Sequence, residues 1–196
     1  MIFLPDQHMA VITPPHTASS STHHGLGGQG FWVLGEDPFI EGSVNHHTAK
    51  VHDSWGGLAG VDKKEFKTYV VCRNPYTRLV GLFLHYEWAQ ERGLINRYLC
   101  WEEFVYGRES LNWMFNKTIT DFIESAELTG FNLIRYENLE DELSVATGEE
   151  ISLPERYHDP IVLGEWYYDP KLLDHINETW AKSDCKTFEY NIIEKI

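Results

Sequence analysis

The sequence predicts a three-layer α/β domain, with a central parallel sheet flanked by helices, that spans residues 1–196 as a single domain. Two patterns predict this class. Short apolar runs rich in β-branched and aromatic residues recur along the chain, and helical spacing of apolar residues follows the second and third runs. In addition, 42% of the 196 residues are apolar, which is enough for one sizeable core.

The predicted strands are short runs that lead into polar or Pro-containing turns. They cover residues 9–13, 66–72 and 131–135, and a shorter run at 31–34 is a fourth candidate. Because helical patterns lie behind the second and third strands, we expect these strands to run parallel in one sheet.

The predicted helices follow from apolar spacing and from capping residues. The longest begins at Pro75, which suits the first turn of a helix, and its apolar pattern extends to about residue 92. The others are expected from about residue 19 and over 101–106, 111–125, 138–146 and 172–183. Residues 25–60 hold nine of the fifteen glycines, so this region is predicted to be rich in loops and to carry a ligand site.

The charge balance limits the classes of partner. Sixteen Lys and Arg against thirty Asp and Glu give a net charge of −14 with His neutral. This balance argues against nucleic acid and anionic lipid as partners, so any anionic ligand has to be held by a local site. The acidic segment 137–150 would also repel a polyanionic partner.

Cysteine usage and hydropathy give an expected location. Cys72, Cys100 and Cys185 form no CxxC pair and are odd in number, which predicts neither a disulfide framework nor a cysteine-rich zinc module. No apolar run approaches the roughly 20 residues of a membrane helix, and the first residues lack a basic segment followed by an apolar one. We therefore expect a cytoplasmic protein that does not associate with a membrane.

The turn after the first predicted strand is dense in hydroxyl groups. Residues 14–22 read PPHTASSST and lead into a helix near Ser19, so backbone N–H groups, hydroxyls and the helix dipole point at one place. A phosphate or sulfate is the natural occupant of such a turn. The alternative is an ordinary helix cap with solvated neighbours. The GxxxxGK[ST] pattern of nucleoside triphosphatases is not found here.

An arginine ends the second predicted strand. Arg73 is followed by Asn74 and Pro75 at the carboxyl end of the sheet, where open α/β folds bind their ligands. Its fork of donors matches phosphate oxygens, although an ion pair with a carboxylate is an alternative. Arg78, farther along the same helix, is predicted to lie at the surface or in an ion pair.

Four segments together resemble the sulfotransferases that use 3′-phosphoadenosine 5′-phosphosulfate. TPPHTASSS is similar to the family's loop for the 5′-phosphosulfate, and VVCRNPYTRLVGLFLHY is similar to its strand and helix for the 3′-phosphate. IRYENLEDEL resembles its late strand and the helix that follows, and the tail WYYDPKLLDHINETWAKSDCKTFEYNI is the fourth match. In order and spacing the four matches extend over nearly the whole chain.

The resemblance implies a P-loop-like fold and an enzyme that transfers a sulfuryl group to a hydroxyl or amine. It implies that Arg73 binds the 3′-phosphate and that the loop after the first strand binds the 5′-phosphosulfate. The residues implied in the loop are His16, Thr17, Ala18, Ser19, Ser20 and Ser21. His16 stands where the family has Lys or Arg, and would donate to the leaving phosphate oxygen. Gly81 stands where the family often has a Ser that also binds the 3′-phosphate, so one donor is missing.

A histidine before the second strand is the expected general base. Residues 45–52 read NHHTAKVH and resemble a His-Xaa-Thr-Ala-basic stretch of the family, in which the matching position is His47. The register neighbour His46 and a purely structural role are the alternatives, and Lys50 is a candidate for orienting the acceptor. Zinc is a further alternative, but HExxH spacing and Cys partners are missing, so no metal is predicted.

The acceptor site is expected in the loop-rich region 25–60, and the acidic charge balance of the chain limits the class of acceptor. A small molecule, a glycan or a peptide hydroxyl is expected, and the donor is 3′-phosphoadenosine 5′-phosphosulfate. Two alternative functions stay open. One is a sulfotransferase-like protein that binds nucleotide but is impaired in catalysis, and the other is a P-loop-like kinase, which the missing GK[ST] pattern disfavours.

Overall fold

Five short strands form one sheet in the part of the chain that the structure describes. The computed structural model describes residues 2–26, 31–32, 63–111, 113–125, 128, 130–153 and 161–194. Its strands are β1 (Ile2–Leu4), β2 (Met9–Ile12), β3 (Phe31–Trp32), β4 (Lys67–Cys72) and β5 (Asn132–Arg135). They lie in the order β3-β1-β2-β4-β5.

The predicted parallel sheet is confirmed for three of these strands. β2 pairs with β4 and β4 pairs with β5, both in parallel, with Ile12 opposite Val70 and Cys72 opposite Arg135. β1 pairs antiparallel with both β2 and β3, so the sheet is mixed. A parallel sheet was expected, so the antiparallel edge formed by β1 and β3 was not predicted. A single 3₁₀ turn (Pro5–Gln7) and the left-handed backbone of His8 reverse the chain between β1 and β2.

The described helices connect and cover the strands. They are α1 (Ser19–Gly25), α2 (Pro75–Glu91), α3 (Trp101–Gly107), α4 (Trp113–Asn116), α5 (Ile119–Ser125), α6 (Leu139–Thr147), α7 (Leu163–Trp166), α8 (Pro170–Ile176) and α9 (Lys182–Phe188). None of the described helices is long and apolar enough to cross a membrane.

Two predicted helices differ from the observed ones. Within the predicted helix 111–125 the described residues form two helices, α4 and α5, because Thr118 and Asp121 begin a new one. The Thr118 N–H donates to Asp121 Oδ2 and the Asp121 N–H donates to Thr118 Oγ1, both at 2.9 Å. The last predicted helix continues beyond residue 183, since a π-helical turn (Asn177–Ala181) joins α8 to α9.

Helices cover both faces of the sheet. Ala10, Ile12 and Val70 pack with Phe122 of α5 and Phe188 of α9 on one face. On the other face, apolar residues of β1, β2, β4 and β5 pack with Leu139 and Leu143 of α6. A third cluster, rich in aromatic rings, joins α2 to α3 and to the α8–α9 segment. The described residues therefore build an α/β structure in which α2 begins at the carboxyl ends of the parallel strands.

Candidate anion-binding site

The three parallel strands end at the same edge of the sheet. Thr13, Arg73 and Tyr136 are the residues that directly follow β2, β4 and β5. Ligands of open α/β sheets bind at this edge, beyond the carboxyl ends of the strands. The loop after β2 and the Arg73 segment after β4, both predicted to bind an anion, thus begin side by side.

Contacts on several sides hold the Arg73 guanidinium. Its Cζ lies 4.2 Å from the centre of the Tyr136 ring, its Nε donates to Thr77 Oγ1 at 3.3 Å, and its Nη1 donates to the His16 carbonyl at 3.3 Å. Burial lowers the pKa of Arg73, while Tyr136 and Glu137 favour its charged form. An anion beside this half-buried cation would offset part of its desolvation.

The start of α2 is fixed by its cap. The Asn74 side chain accepts from the N–H groups of Tyr76 at 3.0 Å and Thr77 at 3.5 Å, and Pro75 occupies the first turn. The Asn74 N–H donates to Glu137 Oε1 at 2.7 Å. The cap therefore anchors the residue next to Arg73, at the positive end of a 17-residue helix.

The loop between β2 and α1, residues 13–18, has an unusual backbone. His16 and Ala18 adopt φ values of 60° and 71°, in the left-handed region that residues other than Gly rarely visit. The Thr17 N–H and hydroxyl both donate to the Pro14 carbonyl, at 3.1 and 2.7 Å. Such strained backbone persists only where the surroundings determine it, and it concentrates at functional sites.

A buried hydroxyl begins this β2–α1 loop. Thr13 is fully buried, and its Oγ1 has no hydrogen-bond partner among the described residues. A buried polar atom without a partner is uncommon and calls for a water or ligand. Thr13 therefore places a buried hydroxyl at the start of the loop.

Position 81 lies beside both halves of the site. A Cβ placed on Gly81 would lie 3.5 Å from Arg73 Nη1 and 3.7 Å from His16 Nδ1. One turn further along α2, the His85 ring lies 4.9 Å from the His16 ring, centre to centre. A Cβ at position 81 would therefore contact both Arg73 and His16, so a side chain there would touch both halves of the site.

The other predicted loop residues are placed as follows. α1 begins at Ser19. Ser19 is half-buried and Ser21 is buried. The Ser20 backbone lies in the first turn of α1. Thr17 is buried, with its N–H directed back into the loop. His46, His47 and Lys50 lie outside the described residues, so the general base stays a prediction.

Arg78 was expected at the surface or in an ion pair. The surface alternative is wrong, because only 1% of Arg78 is exposed, while the buried Asp184 favours its charged form. Its Nε donates to the Pro15 carbonyl at 2.9 Å, so it contacts the β2–α1 loop directly. The apolar spacing of α2 could have indicated burial, because Arg78 lies next to Leu79 and between Tyr76 and Val80 on a buried helix.

The described residues contain no group of three or more His, Cys, Asp or Glu arranged to hold a metal ion. The site as described contains guanidinium, imidazole, hydroxyl and backbone groups, with the Glu137 carboxylate on the Asn74 N–H at its border. This is the chemistry of anion binding.

Comparison of the chain with protein-family models, with curated proteins and with solved structures finds no match in any of the three.

Proposed function

We propose that the chain is a sulfotransferase that uses 3′-phosphoadenosine 5′-phosphosulfate and has a P-loop-like α/β fold. One observation carries the proposal. The Arg73 guanidinium and the His16 loop, which match two separate motifs of that family, meet at the carboxyl edge of the parallel strands, with Nη1 of Arg73 on the His16 carbonyl at 3.3 Å.

The two halves of the site suit the two ends of the donor nucleotide. Arg73 would bind the 3′-phosphate, because a guanidinium fork bonds two phosphate oxygens at once. The β2–α1 loop and the start of α1 would bind the 5′-phosphosulfate through the backbone N–H groups of residues 18–21 and the side chains of Ser19 and Ser20. Of the predicted range 17–21, the Thr17 N–H instead donates to the Pro14 carbonyl. His16 would donate to the phosphate oxygen that becomes the leaving group.

The reaction needs a group that removes the acceptor proton. The acceptor oxygen or nitrogen bonds to sulfur as the bond from sulfur to the 5′-phosphate oxygen breaks, so the bisphosphate leaves with the electron pair. We assign the removal of the acceptor proton to His47, because a neutral imidazole accepts a proton near neutral pH. The acceptor would be a small molecule, a glycan or a peptide hydroxyl, and the enzyme would act in the cytoplasm.

A second candidate function is a sulfotransferase-like protein that binds nucleotide and is catalytically impaired. Two observations favour it. His16 supplies a weaker cation than the Lys or Arg of the family, and Gly81 supplies no hydroxyl beside Arg73.

Calorimetry and turnover separate these functions. The full chain is titrated with 3′,5′-adenosine bisphosphate without metal, and then with ATP and Mg²⁺. Release of bisphosphate from the sulfuryl donor is then measured with panels of phenols, neutral sugars and hydroxyl-bearing peptides. Bisphosphate binding with acceptor-dependent release supports the enzyme, and binding alone supports the impaired protein. Binding of Mg-ATP without bisphosphate binding would instead indicate a kinase and overturn the proposal.

A further inference from the structure

Arg78 joins the β2–α1 loop to a distant part of the chain. Its Nε donates to the Pro15 carbonyl at 2.9 Å and its Nη1 donates to the Lys117 carbonyl at 3.0 Å. Lys117 lies in the connection between α4 and α5. A single buried side chain therefore ties the loop to the segment that leads into α5.

The surroundings of Arg78 hold its guanidinium in one place. Its Cζ lies 5.0 Å from the centre of the Trp180 ring, and Trp180 Nε1 donates to the Pro75 carbonyl at 3.0 Å. The buried Asp184 favours the charged form of Arg78, while burial lowers the pKa of Arg78 to about 10. The guanidinium is therefore a cation at neutral pH and keeps its donors.

Two arginines act on consecutive carbonyls of the loop. Arg78 bonds the Pro15 carbonyl and Arg73 bonds the His16 carbonyl, and both arginines belong to the β4–α2 segment. These two carbonyls flank the left-handed turn at His16. The strained backbone is thereby held from the helix side, as such strain requires.

We propose that Arg78 is a positioning residue that holds the β2–α1 loop in the conformation that binds the 5′-phosphosulfate. It acts through Pro15 and does not touch the nucleotide. The assignment rests on the proposed function for the identity of the ligand. The loop conformation itself is a property of the ligand-free chain and is measured independently.

The chain offers a matched control in Arg108. This second buried arginine also lies over the Trp180 ring, with its Cζ 4.6 Å from the centre, and also donates to two backbone carbonyls, those of Asn116 and Thr179. Both of these carbonyls lie outside the β2–α1 loop, so Arg108→Met removes a similar set of bonds without releasing Pro15.

The experiment compares Arg78→Met and Arg108→Met in the full chain. Amide resonances of His16, Thr17 and Ala18 are recorded in the ligand-free, ¹⁵N-labelled proteins, and calorimetry gives the affinities for adenosine 5′-monophosphate and adenosine 3′-monophosphate. We expect Arg78→Met to shift the loop resonances and to weaken the 5′-monophosphate at least about tenfold, with less than about a twofold change for the 3′-monophosphate. Arg108→Met should lower the melting temperature and leave both measurements unchanged.

Two results would overturn the assignment: loop resonances that do not move in Arg78→Met, or the same changes in both variants. If Arg78→Met does not fold, Arg78→Lys gives the same readouts, because its compact ammonium replaces the rigid fork. If the wild-type chain binds neither nucleotide, the proposed function fails, and the loop resonances still decide whether Arg78 holds the loop.

Discussion

The two halves of the candidate site are held in different ways. On the strand-end half, Arg73 follows β4 directly and α2 starts on its own Asn74 cap, within three residues of sequence. On the loop half, the backbone of residues 13–18 is held by side chains 57 and 63 residues away, those of Arg73 and Arg78. Local bonds form much of the first half, whereas the second is held mainly by side chains that the fold brings to it.

The comparison shows where each half is vulnerable. The strand-end half combines bonds within one turn of helix, those of the Asn74 cap and the Thr77 hydroxyl, with contacts from Tyr136 and Glu137 of the neighbouring strand end. The loop half depends on buried contacts at long range, so a substitution in α2 can alter it without touching the ligand. Substitutions on either side should therefore affect different parts of the same nucleotide.

The largest expected effect tests whether the two halves of the site only bind the nucleotide, while His47 acts as the general base. His47→Ala should lower turnover by roughly 10²- to 10⁴-fold, the usual scale for a general base, while bisphosphate affinity stays nearly constant. Wild-type turnover should also fall as the pH drops, because the protonated imidazole cannot accept the acceptor proton. Steady-state rates and calorimetry measure the two quantities.

The control for this prediction is the neighbouring histidine. His46→Ala should retain both rate and affinity. A rate defect in His46→Ala alone would move the base one residue back, and a joint loss of rate and affinity in His47→Ala would make His47 a nucleotide ligand instead of a base.

The second effect breaks the strand-end half. Arg73→Ala should cost about 1.5–3 kcal/mol of bisphosphate binding free energy, the range for hydrogen bonds to charged groups. The loss should appear with adenosine 3′-monophosphate and be much smaller with adenosine 5′-monophosphate. Calorimetry on the folded variant measures both.

Arg135→Ala is the matched control, since Arg135 is the last residue of the neighbouring parallel strand and its Cζ lies 5.1 Å from the centre of the Tyr190 ring. Unchanged 3′-monophosphate affinity in a folded Arg73→Ala protein, or an equal loss in Arg135→Ala, would remove Arg73 from the site.

The third effect joins the two halves. Gly81→Ser should tighten bisphosphate binding by about tenfold, because its hydroxyl would lie between Arg73 and His16 and donate to a charged phosphate. The expected Cβ position, 3.5 Å from Arg73 Nη1, is an ordinary contact distance. Gly81→Ala fills the same space without a donor and should give no gain. Equal affinities of the Ser and Ala variants would show that no phosphate approaches this position.

The strand-end half was predictable from sequence and the loop half was not. An Asn followed by Pro after a β-branched run specifies a strand end, a cap and a helix start from residues that are neighbours in the chain. The hydroxyl-rich turn predicted a loop leading into a helix at Ser19, which the structure confirms. The backbone of that loop also contacts Arg78 and Arg73 at its Pro15 and His16 carbonyls, and no local pattern specifies which distant carbonyl an arginine will reach.

The smallest expected effect sharpens the strand-end half. Thr77 Oγ1 accepts from Arg73 Nε at 3.3 Å and donates to the Asn74 carbonyl at 3.1 Å, so it orients the guanidinium from inside the first turn of α2. Thr77→Val keeps the shape and the backbone cap and removes this long, weak bond. We expect bisphosphate affinity to fall by about two- to fivefold, near the low end for a neutral hydrogen bond.

The control for Thr77→Val is Thr147→Val in α6. The Thr147 hydroxyl likewise donates to a carbonyl within its own helix, that of Leu143, at 2.9 Å. Thr147 lies two residues before Glu149, and the Glu149 carboxylate accepts a hydrogen bond from the Gln7 side chain. Gln7 belongs to the turn that precedes β2, at the amino edge of the sheet. Thr147 is therefore far from Arg73, which lies at the carboxyl edge. The two variants should lose similar stability in thermal unfolding, and only Thr77→Val should weaken the bisphosphate. A loss of tenfold or more in Thr77→Val would mean that the hydroxyl itself binds the phosphate, as a substitute for the donor missing at position 81, because a bond to a charged group is worth more than a neutral one.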